Sequence, residues 1–92
     1  TFRRIAMQAI TLFVPVTISG TTYETINIRR PKVRDRLAVE RIKKTDAEKE
    51  IAMIANLAEV TVDVIEELDL ADYNKVQEIL QGFLAPAPVT SE

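Results

Sequence analysis

The sequence predicts an α+β fold: an N-terminal β-hairpin followed by about four helices packed on it. Residues 10–28 largely alternate apolar and polar side chains, as half-buried strands do. Beyond residue 31, apolar side chains recur every three or four positions, as in amphipathic helices. The chain has 92 residues and is 47% hydrophobic, which is enough for one domain with a real core.

The hairpin is predicted from two β-branched runs joined by turn residues. The first run places five apolar residues on one face: Ile10, Leu12, Val14, Val16 and Ile18. Ser19-Gly20-Thr21 supplies the turn, and Ile26 and Ile28 share a face in the second run. Because Pro15 has no N–H to donate, the first strand is expected to be an edge strand or to bulge there.

Four helices are expected after Pro31, which suits a helix start. The first carries an apolar stripe made of Val33, Leu37, Ala38 and Ile42. Thr45 and Glu48 fit a capping box that opens a second helix over about residues 46–59. Thr61 is expected to cap a short third helix, and Asp69 the last one.

The chain divides into three parts on this interpretation. Residues 1–9 form an N-terminal segment expected to be flexible, and residues 10–84 form the α+β domain. Residues 85–92 are an Ala/Pro-rich tail expected to be flexible. No apolar run approaches the roughly 20 residues of a membrane span, so no membrane partner is expected.

The composition excludes much chemistry. Cysteine and histidine are both absent, which removes thiol nucleophiles, imidazole bases and zinc sites of the usual kind. Two glycines are too few for a glycine-rich phosphate loop. We therefore expect no catalytic residue, no cofactor and no metal, and the protein is predicted not to be an enzyme.

Charge is distributed unevenly along the chain. Residues 1–44 hold ten basic and three acidic side chains, whereas residues 45–92 hold two basic and eleven acidic ones. The net charges of the two halves are therefore +7 and −9. Either the halves neutralise each other across the fold, or each meets an oppositely charged partner or another copy head to tail.

Residues 51–65 have the spacing of a helix-turn-helix, which makes a small regulatory DNA-binding domain the alternative function. A helix that reads DNA should present basic or amide side chains to the groove. This one instead carries Asp63, Glu66, Glu67 and Asp69. Nucleic acid is therefore a disfavoured partner, and these acids are expected to form a solvated face.

Surplus apolar residues are the one positive functional signal from the pattern. Seven lie off the primary stripes: Phe13, Val39, Met53, Leu57, Val64, Ile79 and Leu84. Some can fill the core, and the others would form an exposed patch of the kind that marks a protein interface. This favours a protein-interaction module.

A set of short motifs adds a resemblance. The hairpin runs directly into Arg29-Arg30-Pro31 with Asp35 after it, and a later Leu-Asp-Leu-Ala-Asp step contains Asp72. Over residues 10–84 the chain resembles the small tail-assembly chaperones of long-tailed bacteriophages, the phage tail protein E group. It departs from that pattern at Glu59, where a glycine is expected.

The resemblance implies a chaperone that binds the tape measure protein and keeps it soluble before the tail tube polymerises. Its partners would be the tape measure protein, and also the tail tube protein or a second copy of the chain. It would act in the cytoplasm of the infected bacterial host and be absent from the mature virion.

Two expectations about sites follow. The client surface is placed on the last helix and the outer face of the hairpin, at Phe13, Ile79, Leu80, Phe83 and Leu84. Arg29 and Arg30 are expected to be structural, with at least one pairing with an acid of the C-terminal half such as Asp72.

Overall fold

The described part of the chain, residues 7–84 of a computed structural model, is an antiparallel hairpin followed by four helices, as predicted. The strands are β1 (Met7–Ile18) and β2 (Thr21–Arg29). The helices are α1 (Val33–Glu40), α2 (Asp46–Ala58), α3 (Val62–Glu66) and α4 (Leu70–Leu84). Strand β1 begins three residues before the predicted Ile10. Residues 1–6 and the Ala/Pro-rich tail, for which flexibility was predicted, lie outside the described residues.

The hairpin turn has two residues. Ile18 pairs with Thr21, which leaves Ser19 and Gly20 as the loop. Both have positive φ angles, 52° and 84°. This is the conformation of the two-residue turns that match the right-handed twist of the flanking strands, and it is why a glycine stands at the second position.

A bulge interrupts the ladder in the middle of β1. Pairing runs from Met7 to Thr11 and resumes only at Val16, opposite Tyr23. Pro15 lies inside the interruption, so the predicted irregularity at this proline is confirmed. The bulge also shifts the side-chain alternation, because Val14 is exposed rather than buried with its neighbours as the period of two predicted.

The core lies between the inner face of the hairpin and three helices. The hairpin contributes Ile10, Leu12, Val16, Ile26 and Ile28, and the helices contribute Ile54, Ala55, Leu57, Val64, Ile65, Val76 and Leu80. Two residues predicted to be surplus, Leu57 and Val64, are thus fully buried core residues. A two-stranded hairpin is marginal by itself, so this helical cover is what stabilises it.

Helix α1 differs from its prediction. Val33 and Leu37 were expected to face the core but are 77% and 52% exposed, and Ala38 is exposed as well. Asp35 and Val39, four residues apart and hence on one face, are buried instead. The cause is Asp35, whose hydrogen-bond partners lie inside the fold, so the helix turns its apolar stripe outward.

The ends of α2 follow the sequence signals. The Glu48 N–H donates to Thr45 Oγ1 (3.2 Å) and the Thr45 N–H to Glu48 Oε1 (3.1 Å), so the predicted capping box is confirmed. At the other end the Val60 N–H donates to the Ala55 carbonyl (3.0 Å). Between them Glu59 adopts a left-handed conformation (φ 58°, ψ 41°), the position that glycine normally fills in such a helix ending.

Of the two caps predicted after α2, one is present. Thr61 stands at the N-cap of α3 but makes no hydrogen bond through its side chain, so the expected Thr61 cap is wrong. Asp69 Oδ2 accepts the Ala71 N–H at 3.0 Å, so Asp69 caps the start of α4 as predicted.

Replacing Glu59 by glycine should stabilise the domain by about 1 kcal/mol, because a left-handed backbone costs a residue with a Cβ that much. Urea unfolding monitored by circular dichroism measures the change. Glu59→Ala is the matched control, since it removes the same carboxylate and keeps the Cβ. Equal stabilisation by both variants would show that charge, and not backbone strain, is responsible.

Candidate protein-binding surface

The Asp35 carboxylate joins three elements of the fold. Oδ1 accepts from Arg29 Nη2 and Asn56 Nδ2, both at 2.8 Å. Oδ2 accepts from Arg29 Nη1 at 2.9 Å and from the Lys32 N–H at 2.7 Å. The end of β2, the start of α1 and the last turns of α2 therefore meet at one side chain, which is only 3% exposed.

The donors around Asp35 outweigh the effect of its burial and keep it ionised. The paired hydrogen bonds with the Arg29 guanidinium hold the pKa of the Asp35 carboxyl well below its ordinary value. The Lys32 and Asn56 donors act in the same direction, against the opposing effect of burial. Asp35 is consequently a carboxylate with four donors, the arrangement that a buried charge requires.

Asp72 is a second buried carboxylate, against the middle of β1. It lies in the first turn of α4 and has no exposed surface. Its Oδ1 accepts the Phe13 N–H at 2.8 Å, and its Oδ2 accepts the Val14 N–H at 3.1 Å. Asp72 thereby satisfies two amides that the β1 bulge removes from the ladder, and the Phe13 side chain is left 77% exposed.

The expected pairing of an N-terminal arginine with Asp72 is wrong. Arg29 pairs with Asp35, only six positions along the chain, and Asp72 binds backbone amides. The C-terminal half holds eleven acids, and nothing in the sequence indicates that Asp72 in particular accepts hydrogen bonds from backbone amides.

Arg30 contacts the last turn of α4. Its guanidinium carbon lies 5.1 Å from the centroid of the Phe83 ring, and its Nη2 donates to the Phe83 carbonyl at 3.4 Å. A cation is favourable both over an aromatic face and near a helix C-terminus. The adjacent arginines thus stabilise different contacts. Arg29 binds Asp35, which joins α1 to α2, and Arg30 binds the last turn of α4.

Helices α2 and α4 are also joined by polar side chains. Tyr73 Oη and Gln77 Nε2 both donate to Glu50 Oε1, at 2.7 Å and 2.9 Å. Burial, and then the neighbouring Glu50, raise the pKa of the Tyr73 hydroxyl. Tyr73 therefore stays protonated and keeps donating this bond.

An apolar groove opens where α1, α2 and the end of α4 meet. Its volume is about 370 Å³. It is lined by Pro31, Lys32, Val33, Arg36, Val39, Glu40, Met53 and Leu84. Leu84 is 59% exposed, and Val33 projects from the outward face of α1. We call this feature the α1–α4 groove.

The structure divides the predicted client surface. Leu80 is a core residue, and Ile79 and Phe83 pack against the core while half-buried. Phe13 is held beside the first turn of α4, whereas Leu84 ends that helix. The five residues therefore do not form one patch, and only Leu84 borders the α1–α4 groove.

The groove residue missed by the sequence interpretation is Val33, which lines the groove with Leu84. Met53, which also lines it, was among the surplus apolar residues but was not placed in the client surface. Val33 was assigned to the core because of its helical spacing. One signal could have corrected this: Asp35 lies where an acid can cap its own helix start, and an inward Asp35 requires Val33 and Leu37 to face outward.

Other kinds of site find little support in residues 7–84. That part of the chain holds no cluster of three or more acidic side chains arranged to bind a metal. None of its helices is long and apolar enough to cross a membrane. The second helix of the helix-turn-helix-like segment, α3, is only five residues long and exposes Asp63 and Glu66. Those carboxylates would be repelled by DNA phosphates.

Comparison with known proteins identifies the family. The family model described as "Phage tail assembly chaperone proteins, E, or 41 or 14" matches residues 9–85. The chain belongs to this family. The resemblance seen in the motifs is thereby confirmed, over nearly the same residues. No curated protein and no solved structure shows a significant match.

Membership makes the protein a phage tail assembly chaperone, with protein partners in tail assembly. Chaperones of this family are generally not enzymes. The α1–α4 groove is the feature of this chaperone best suited to holding another chain, because it combines apolar walls with exposed apolar side chains.

Replacing Asp35 by asparagine should destabilise the chaperone by about 3 kcal/mol at neutral pH, because it leaves the Arg29 charge without its partner. The low pKa of Asp35 stabilises the wild type above about pH 4, and this contribution is lost as the pH falls below that value. Urea unfolding between pH 7 and pH 2.5 should show a flatter acid dependence for Asp35→Asn. Asp63→Asn, which removes an exposed carboxylate of α3, should retain the wild-type slope; the same flattening in both would contradict the assignment.

Replacing Asp72 by alanine should expose the Phe13 and Val14 amides to exchange and cost about 2 kcal/mol, because two hydrogen bonds to a buried charge are lost. Hydrogen exchange followed by NMR measures both amides directly. Asp69→Ala is the control, since it removes a nearby acid that bonds only within its own helix start. Unchanged protection of Phe13 and Val14 in Asp72→Ala would refute this role.

Proposed function

We propose that this chaperone binds the tape measure protein through the α1–α4 groove and keeps it soluble until the tail tube polymerises around it. It would act in the cytoplasm of the infected bacterium and be absent from the mature virion. Family membership supports a role in tail assembly. The choice of client rests on what the surface of the domain can hold.

The observation that carries the proposal is the exposure of large apolar side chains around one groove. Val33 of α1 and Leu84 of α4 both line it and are mostly solvent-accessible, and Met53 of α2 lines it while half-buried. Covering such side chains releases roughly 1.5–3 kcal/mol each. A client with apolar residues that would otherwise aggregate supplies the matching surface.

The size of the groove indicates weak binding by each copy. A few apolar contacts, less the entropic cost of association, leave little net affinity for one site. Many copies on one long client would hold it collectively, because each further contact on the same chain is effectively intramolecular. The proposal requires no contact with the tail tube protein.

The alternative function, DNA binding, has no observation in its favour. The exposed charged side chains of α3 are acidic, and Lys32 and Arg36 border the groove without the aromatic side chains that single strands stack on. We therefore do not propose it.

Co-expression with the tape measure protein tests the client assignment. The double variant Val33→Glu with Leu84→Glu should reduce soluble tape measure protein to the amount found without chaperone, because two carboxylates then enter the apolar groove. Both positions are exposed, so the thermal unfolding midpoint should stay close to that of the wild type. Quantitative immunoblotting of soluble and pelleted fractions gives the readout.

Leu70→Glu is the matched control. Leu70 is 72% exposed, lies at the opposite end of α4 and is not part of the groove. This variant should solubilise the client as well as the wild type. Full client solubility with the groove variant, or equal loss with both variants, would refute the proposed site.

A further inference from the structure

A second exposed feature stands at the start of α4. Leu70 projects into solvent, and the residues before it include three exposed acids, Glu66, Glu67 and Asp69. We call residues 66–70 the acidic corner. It combines one large apolar side chain with carboxylates around it.

The α1–α4 groove has the complementary chemistry. Its walls are apolar, and its charged lining consists of Lys32, Arg36 and Glu40. Glu40 is already matched by Lys49, whose Nζ lies 3.6 Å from its Oε1. The charge that the groove offers to an incoming chain is therefore positive, from Lys32 and Arg36.

The groove and the corner cannot meet within one molecule. Leu84 borders the groove and Leu70 belongs to the corner, and these are the last and first residues of one helix. Fourteen steps along a straight helix separate them by about 21 Å. Any contact between the two surfaces must join different copies.

The charge asymmetry of the chain points the same way. Within residues 7–84, the ion pairs are Arg29–Asp35 and Lys49–Glu40. Neither involves Lys32, Arg36 or an acid of the corner. The charges of the corner and of the groove are therefore not matched by direct ion pairs within this part of the chain and remain available for contact between molecules.

We propose that the acidic corner of one copy docks in the α1–α4 groove of a second copy, with Leu70 against Val33 and Leu84 and Glu67 facing Arg36. The contact uses different surfaces on the two molecules, so each dimer keeps one free groove and one free corner and the association is head to tail. Because the groove is also the client site, a point that rests on the proposed function, self-association covers the apolar residues until client displaces the neighbouring copy.

Sedimentation equilibrium of the full chain without client tests this inference. Wild-type mass should rise with protein concentration and fall with added salt. Leu70→Glu and Leu84→Glu should each weaken self-association by about tenfold or more, the effect of losing one buried leucine. A wild type that stays monomeric throughout would overturn the proposal.

Mixing the two variants gives a sharper test. Leu70→Glu retains an intact groove and Leu84→Glu retains an intact corner, so an equimolar mixture should form heterodimers that do not grow further. A symmetric contact of groove with groove would instead leave Leu70→Glu self-associating normally, and that result would overturn the head-to-tail arrangement.

A charge exchange tests the register of the contact. Arg36→Glu and Glu67→Arg should each weaken self-association by about fivefold, as losing one exposed ion pair does. Both changes in one chain should restore it, because the reversed charges again face each other between copies. A double variant no better than the single ones would refute the pairing of Arg36 with Glu67.

The outcomes separate this inference from the proposed function. If Leu84→Glu self-associates like the wild type but fails to keep the tape measure protein soluble, the inference fails and the function stands. If the groove variants lose self-association yet still solubilise the client, the function fails and the inference stands. Loss of client solubilisation by Leu70→Glu would show that the acidic corner itself binds the client. That result would overturn the proposal that a second copy and the client compete for the groove.

Discussion

The buried bonds between Asp35 and Arg29 determine how the rest of the domain is arranged. Four donors from β2, from Lys32 just before α1 and from α2 converge on the Asp35 carboxylate, so these elements can assemble only with this face of α1 directed inward. Val39 follows Asp35 onto the inner face, and Val33 is turned outward. The apolar wall of the groove is therefore a consequence of satisfying one buried charge.

The hairpin depends on such polar contacts because two strands cannot hold themselves together. The helices hold it at two points: Asp35 binds the last residue of β2, and Asp72 binds the middle of β1. The hairpin and the helices also share one apolar core, to which Ile28 and Val76 contribute. Apolar burial provides the bulk of the stabilisation, and the two carboxylates fix the position of the hairpin on the helices.

Local chemistry explains which features could be predicted from the sequence. The turn at Gly20, the irregularity at Pro15 and the Thr45 capping box each depend on residues within a few positions of one another. The facing of α1 depends on Asn56, 21 positions from Asp35, and periodicity carries no information about such a partner. For the same reason the predicted client surface combined Phe13 with Leu84. Both are apolar, but Phe13 lies beside the first turn of α4 and Leu84 is its last residue.

The bulge in β1 affects whether copies of this chaperone can aggregate through their own strand edges. An unpaired strand margin normally invites a further strand, and its free amides are what recruit it. At residues 13–15 those amides are withdrawn: the first two bind Asp72, and Pro15 has none. Along this stretch the hairpin therefore offers no amides to a strand of another copy. Copies at high local concentration cannot extend their sheets into a cross-β fibril there.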